Sequence, residues 1–237
     1  MMPLSKPPFS VVIPTLQRSP DLRPLVERCA GHPMVHEVLV INNAPEPLHW
    51  GSPKVKVLQQ PENIYVNPAW NLGAHTATGR FLAILNDDIL FDPELFTLVG
   101  RALQNPFVGV VGIGSNCYKP GAGRRLRLRP VGRRTHGFGT AMFLRRSRYT
   151  DVPAEMKIFG GDDWLFQAQR HLNFVITDFA VHTEMSVTSG SPEFHGVGGA
   201  DLAYIRDHDI NNGLYRRTWG RVQEFKGRII RLARARS

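Results

Sequence analysis

Cysteine is scarce. Cys29 and Cys117 are the chain's two cysteines, they lie far apart, and no C-x-x-C spacing occurs. That excludes a disulfide framework and a thiolate zinc cluster, and the pair reads as reduced thiols of a cytosolic protein. Long apolar runs are missing too. None approaches the ~20 residues that cross a bilayer, and Met1 to Pro8 lacks the apolar stretch of a secretory signal, so the expected location is cytoplasmic. There is no internal repeat and no low-complexity tract. Glycine is absent where two enzyme classes need it. The first strand is followed by Pro14-Thr15-Leu16-Gln17-Arg18, not by the glycine-rich loop expected of a nucleotidyltransferase on a similar sheet. Gly112-Ile113-Gly114 supplies only half of a G-x-G-x-x-G dinucleotide fingerprint.

Acidic residues are in deficit: 20 Asp and Glu stand against 29 Lys and Arg, a formal net charge of +9. Such a balance favours anionic partners, whether nucleic acid, phosphorylated substrates or an anionic membrane face. The arginine runs lack interleaved aromatics for base stacking, and no zinc-finger or RRM signature occurs. Both observations disfavour a non-catalytic nucleic-acid-binding protein.

What is present is the pattern of an α/β domain. The 237 residues suit one domain, or one domain with a short appendage. Phe9 to Ile13, Val38 to Ile41, Lys54 to Leu58 and Arg80 to Leu85 read as strands. Ser19-Pro20 and Asp92-Pro93-Glu94 read as helix starts, and Asn67-Pro68 opens a helix that ends at Gly79. The alternation predicts a mostly parallel sheet covered on both faces, with ligands beyond the carboxyl ends of its strands. Pro14-Thr15, Asn42-Asn43 and Asn86-Asp87-Asp88 all fall at such ends. Further on, Val108 to Ile113, Thr140 to Leu144 and Phe174 to Thr177 read as strands. Asp162 to Leu172 and Asp201 to Tyr215 read as helices, and Lys119 to Gly137 as a long arginine-rich loop.

Three groups could carry chemistry. Asn86-Asp87-Asp88 is either a polar turn or a site for a hard divalent ion shared with a diphosphate. In an extended chain Asn86 and Asp88 face one side and Asp87 the other. That gives Asn86 a ribose to bond and Asp88 a metal. Phe159-Gly160-Gly161-Asp162-Asp163-Trp164 is either a helix cap or a site where the backbone approaches a ligand and the helix dipole supports two carboxylates. His182, just after a strand, is either structural or a ligand for Mn²⁺.

Taken in order, these strings resemble the family-2 glycosyltransferases with the GT-A fold, from Phe9 to Ser186. SVVIPT is similar to that family's first strand. NPAWNLGAHTATGRFLAILNDD is similar to its helix and strand leading into the metal motif, with Asn71 and Gly73 in the usual places. FGGDDW resembles its acceptor motif. The resemblance implies an α/β GT-A fold with a nucleotide-binding sheet, a smaller acceptor-side region and a basic helical tail. The implied divisions are one domain over 1–218, with 9–105 as the nucleotide-sugar half and 106–218 as the acceptor half, and a tail over 219–237. The implied reaction is metal-dependent, inverting transfer from a nucleoside-diphosphate sugar to a hydroxyl of a glycan, glycolipid or protein glycan. Asp163 is then the catalytic base, and Asp162, Trp164 and Gly161 hold the acceptor. Pro14, Thr15, Asn42, Asn43, Asn71, Asn86 and Asp87 line the nucleotide-sugar site. Asp88 and His182 hold Mn²⁺ or Mg²⁺. The chain departs from the family in having Asn after the second strand, Asn86 for the first aspartate of DxD, and Asp162 for the commoner Glu. In the tail, Val222, Phe225, Ile229, Ile230 and Leu232 share a face among arginines. Such a helix can lie on the inner face of a membrane or pack back onto the domain.

Overall fold

A computed structural model describes residues 7–119, 122–184 and 191–226, with the side chains of 124–126 left out. Ser186 and the tail beyond 226 therefore lie outside the described residues.

An eight-stranded sheet organises the chain in the order β3-β2-β1-β4-β8-β6-β9-β7. The strands are β1 (Phe9–Thr15), β2 (Val35–Asn42), β3 (Val55–Gln59), β4 (Phe81–Leu85), β6 (Val108–Ile113), β7 (Arg124–Pro130), β8 (Ala141–Arg145) and β9 (Leu172–Phe179). The pairings β2–β3, β1–β2, β1–β4 and β6–β9 are parallel, and β8 and β7 run against their neighbours. A two-stranded antiparallel ribbon pairs β5 (Ile89–Phe91) with β10 (Val181–Thr183).

Alternation along the central strands sends side chains to both faces, and both are covered. Val11 and Ile13 face α1 (Leu22–Gly31) and α3 (Glu94–Leu103), through Leu25, Val26, Phe96 and Val99. Val12, Leu82 and Ile84 face α2 (Val66–Thr76), α4 (Gly161–Gln167) and α5 (His195–Asp207), through Trp70, Phe166 and Ile205. Gly73 sets how closely α2 lies on β1, because a Cβ there would sit 2.2 Å from Val12 Cγ1.

Two sequence expectations are corrected. The arginine-rich stretch predicted as loop contains β7, hydrogen-bonded along β9. Leu128 packs against the core while Arg127 and Arg129 stay exposed, as suits an edge strand that resists further pairing. The helix predicted from Asp201 to Tyr215 begins earlier, at His195, and stops at Asp207. Asp209 then takes φ +50°, a left-handed conformation that cannot continue a helix. Two strands, β5 and β10, had no expectation at all. Among the described residues no helix is long and apolar enough to cross a membrane.

Candidate active site

The carboxyl ends of β1, β2 and β4 gather the residues expected there, though not in the expected poses. Thr15 Oγ1 donates to Asp87 Oδ2 at 2.5 Å and accepts from Gln17 N at 2.8 Å. Asp87 thus reaches across to β1 instead of pointing away. The alternation argument fails because β4 ends at Leu85 and 87–88 form a turn. Burial pushes the Asp87 carboxyl up to about 6, against the pull of the Thr15 hydroxyl and with help from Asp88. Burial also raises Asp88. Asp88 is 6% exposed, and among the described residues its Oδ1 meets no hydrogen-bond donor, nor does the buried Thr183 Oγ1 meet a partner. Asn86 and Thr183 lie close enough to ease the Asp88 charge without hydrogen-bonding that oxygen.

His182 pairs with Leu90 on the ribbon and is exposed. Neighbours on a strand face opposite ways, and Thr183 is the one turned to Asp88. The expected Asp88–His182 pair is therefore not assembled. Among the described residues no group of three His, Cys, Asp or Glu side chains surrounds a common point.

The asparagines divide. Asn42 is fully used inside the protein: its Nδ2 donates to Glu46 O and Gln59 Oε1, both at 2.7 Å, and its Oδ1 accepts from Gln17 Nε2 at 3.1 Å and Ala44 N at 3.2 Å. Asn43 anchors by its backbone to Thr15 O at 2.9 Å and leaves Oδ1 without a partner. Pro14 is buried in β1. Asn71, expected at the nucleotide-sugar site, acts as a brace inside the protein. Its Nδ2 donates to Val152 O at 2.8 Å, and its Oδ1 accepts from Tyr149 Oη at 2.7 Å and Val152 N at 2.9 Å. Gln17 was missed by sequence reasoning. Its φ of +59° is uncommon for a residue with a side chain, and it ties the β1 and β2 ends together.

The second carboxylate pair opens α4. Gly160 precedes it at φ +78°, where L-residues are strained. Gly161 is buried, and a Cβ on it would sit 2.1 Å from Asn67 Oδ1. It also serves helix packing, which leaves no room for a side chain at this position. Asn67 Nδ2 donates to Met156 O at 3.1 Å and Phe159 O at 3.2 Å. From the other side Asp201, fully buried, accepts from Lys157 N, Ile158 N and Phe159 N at 2.7–2.8 Å. Arg134 then clamps the pair itself. Its Nε and Nη2 donate to the two oxygens of Asp163 at 2.5 and 2.9 Å, and its Nη1 lies 3.1 Å from Asp162 Oδ2. Burial raises the Asp162 carboxyl, and the guanidinium pulls it back.

One turn links the two pairs. Asp162 Oδ2 lies 2.7 Å from where a Cβ on Gly139 would stand, and the next residue, Thr140, accepts from Asn86 N at 2.9 Å through its carbonyl. Tyr118 Oη donates to Gly137 O at 2.8 Å, fixing that turn. Trp164 lines a cavity along α4, and its Nε1 is buried without a partner. Arg134 and Asp201 were missed: Arg134 was one arginine among many, and Asp201 one charge in a charged helix.

Comparison with known proteins agrees with this architecture. The family described as Glycosyl transferase family 2 matches residues 10–161. Solved structures of similar fold include S. aureus TarS 1-349 in complex with UDP, with 16% identity and TM-score 0.58, over 84% of this chain and 65% of that one. GalNAc-T7 with UDP, GalNAc and Mn²⁺ has 15% identity and TM-score 0.58, over 88% and 50%. The mannosyltransferase PcManGT from Pyrobaculum calidifontis, in complex with GDP-Man and Mn²⁺, has 16% identity and TM-score 0.51, over 72% and 56%. The chain thus spans less than two thirds of each of these proteins. No curated protein sequence matches it.

Proposed function

The chain belongs to glycosyltransferase family 2, and from that premise we propose that it moves a sugar from a nucleoside-diphosphate sugar to a hydroxyl of a glycan or glycolipid acceptor, with inversion at the anomeric carbon. The observation that carries the reading is the pair of carboxylate groups joined by the turn at Gly139-Thr140: Asp87-Asp88 on one side, Asp162-Asp163 on the other. Residues 9–105 would serve the donor and 106–218 the acceptor.

A divalent ion, Mn²⁺ or Mg²⁺, fits the donor pair. Asp88 presents a buried carboxylate oxygen with no donor, and among the described residues no Lys or Arg pairs with Asp87 or Asp88. Asp88 would hold the ion, with diphosphate oxygens completing a shell that such ions form from few protein ligands. Bound there, it supplies positive charge to the departing diphosphate. Asn43 Oδ1 is the free amide oxygen for the nucleotide base, since Asn42 is spent, while Thr15 and Asn86 border the ribose side.

In the transfer itself the acceptor oxygen bonds to the anomeric carbon as the bond from that carbon to the diphosphate oxygen breaks. The hydroxyl proton passes to the Asp163 carboxylate. A carboxylate gripped by a guanidinium fork is a poor base, so Arg134 gives up part of its hold as the acceptor enters. Asp162 keeps the arginine nearby. Asn67 and Asp201 hold the 156–160 loop so that the geometry survives this exchange. A cytoplasmic enzyme touching the inner face of a membrane through the segment around Val222 and Phe225, both exposed, is the placement that accompanies this reading.

The test is a screen of UDP-, GDP- and dTDP-sugars for Mn²⁺-dependent release of the nucleoside diphosphate. Release from one nucleotide class, abolished by chelator, is the expected result. Undiminished release in chelator would remove the metal from the account, and silence across the panel would remove the activity.

A further inference from the structure

A cavity of about 870 Å³ lies between α4 and the segment that follows α5, and the chemistry above leaves most of it unused. Its walls carry four arginines, Arg170, Arg216, Arg217 and Arg221, against two carboxylates, Asp209 and Glu224. Glu224 is already shared between Arg216 and Arg133, and Asp209 Oδ1 accepts from Asn212 Nδ2 at 2.7 Å. Arg170, Arg217 and Arg221 form no side-chain ion pair with any Asp or Glu: all 20 acidic residues of the sequence fall among the described ones, and none pairs with them. Three arginines that line one concave space and have no acidic partner among the described residues concentrate positive potential there.

The cavity is not purely ionic. Trp164, Ile210 and Leu214 supply apolar wall, and the volume falls in the range of sites for organic ligands. A bare inorganic anion would leave that wall uncovered. The matching occupant carries phosphate on a larger body, because the arginine fork fits phosphate oxygens two at a time. The cavity also has a fixed relation to the proposed base. Asp163 is in the first turn of α4, and Gln167, four residues on, lines the cavity. At 1.5 Å per residue that is a displacement of about 6 Å along the helix. A molecule seated in the cavity therefore lies along the same helix that carries Asp163, beyond its first turn.

We propose that this cavity binds a phosphate monoester or diphosphate group and is the subsite for an anionic acceptor. The word acceptor rests on the transfer reading above; the anion site does not. Calorimetric titration of the full chain with inorganic pyrophosphate and with geranyl diphosphate tests it, in chelator so that no divalent ion serves the donor edge. Both probes should bind. The double variant Arg217→Ser, Arg221→Ser, whose side chains form no ion pair or hydrogen bond among the described residues, should lose about tenfold or more in affinity for each, whereas Asp88→Asn should bind as the parent does. Tighter binding of geranyl diphosphate assigns the site to a lipid-linked phosphate, and equal binding assigns it to a soluble phosphorylated acceptor. Absence of binding, an undiminished double variant, or loss of binding in Asp88→Asn instead would each overturn the proposal. No sugar transfer is measured, so a silent donor screen leaves a positive titration standing, and a failed titration leaves the donor screen untouched.

Discussion

Asp87 and Asp88 meet a hydroxyl, an amide and backbone, and among the described residues no cationic side chain pairs with them, whereas Asp162 and Asp163 share the fork of Arg134. Both are adjacent carboxylates beside the same turn, and burial pushes the carboxyls of Asp87, Asp88 and Asp162 above the ordinary carboxylate range, disfavouring their charged forms. One pair is left short of positive charge and the other carries its own. A buried charge without a partner is costly, and in the proposed function the donor pair is completed by something brought in with the substrate. The acceptor pair must be stable alone and still give way. The contrast separates a site built to be filled from a site built to be exchanged.

Breaking the exchange side should have the largest effect. Asp163→Asn keeps the shape but cannot take the proton, and transfer should fall by roughly 10²–10⁴-fold in single-turnover assays. Breaking the filled side comes next. Asp88→Asn should cost about 100-fold in rate, or about 2.7 kcal/mol of the stabilisation a cation gives a leaving diphosphate, and should abolish the rise in melting temperature that Mn²⁺ gives the parent. A Mn²⁺ shift that persists in the variant would place the ion elsewhere. Arg134→Ala sharpens the comparison. Without the guanidinium, two neighbouring carboxylates must share their charge unaided, and the acidic limb of the pH–rate profile should move up by about 1–2 units. Arg134→Lys should restore only part of that shift, because a point charge cannot grip both oxygens. An unmoved limb would mean that the clamp is only structural.

Glu37 is the control, with the smallest expected effect on activity. It sits on β2 at the amino end of the sheet, away from the site, and accepts from Ser10 Oγ, Thr78 N, Thr78 Oγ1 and Lys56 Nζ at 2.6–2.8 Å. Burial by itself would raise its carboxyl, but the Lys56, Thr78 and Ser10 bonds outweigh that and hold it at about 2. A depressed carboxylate contributes stability that is complete above its unfolded value of ~4.3. That contribution fades as pH falls through the folded value near 2. Glu37→Gln should therefore destabilise the protein at pH 7 by about 2–3 kcal/mol, measured by urea unfolding. The gap to the parent should narrow between pH 4.5 and 2, with transfer per folded molecule unchanged.

The carboxyl edge of the sheet was legible because its signals are local. Apolar strands that end in Thr15, Asn42 and the Asn86 triplet announce a parallel sheet with one working edge, and chain order supplied the rest. Local reading erred where local structure changed. The strand stops at Leu85, so alternation could not orient Asp87 or Asp88. His182 was linked to Asp88 without knowledge of the ribbon register that turns Thr183 inward. The acceptor side depends on residues distant in sequence. Arg134 comes from the β7–β8 connection and Asp201 from α5, and nothing in a run of arginines or a charged helix marks which member will be buried against a carboxylate. β7 itself had a signal, the alternation from Leu126 to Arg129, which the density of arginines made look like loop.

Nucleotide binding compared between two variants tests the account most directly. The nucleoside diphosphate released in the donor screen is titrated, with Mn²⁺, into Asp163→Asn and Asp88→Asn. The account predicts parental affinity in Asp163→Asn, which does not turn over, and loss of the Mn²⁺-dependent part of the affinity in Asp88→Asn. The reverse pattern, or equal loss in both, would contradict the division of labour between the two carboxylate pairs.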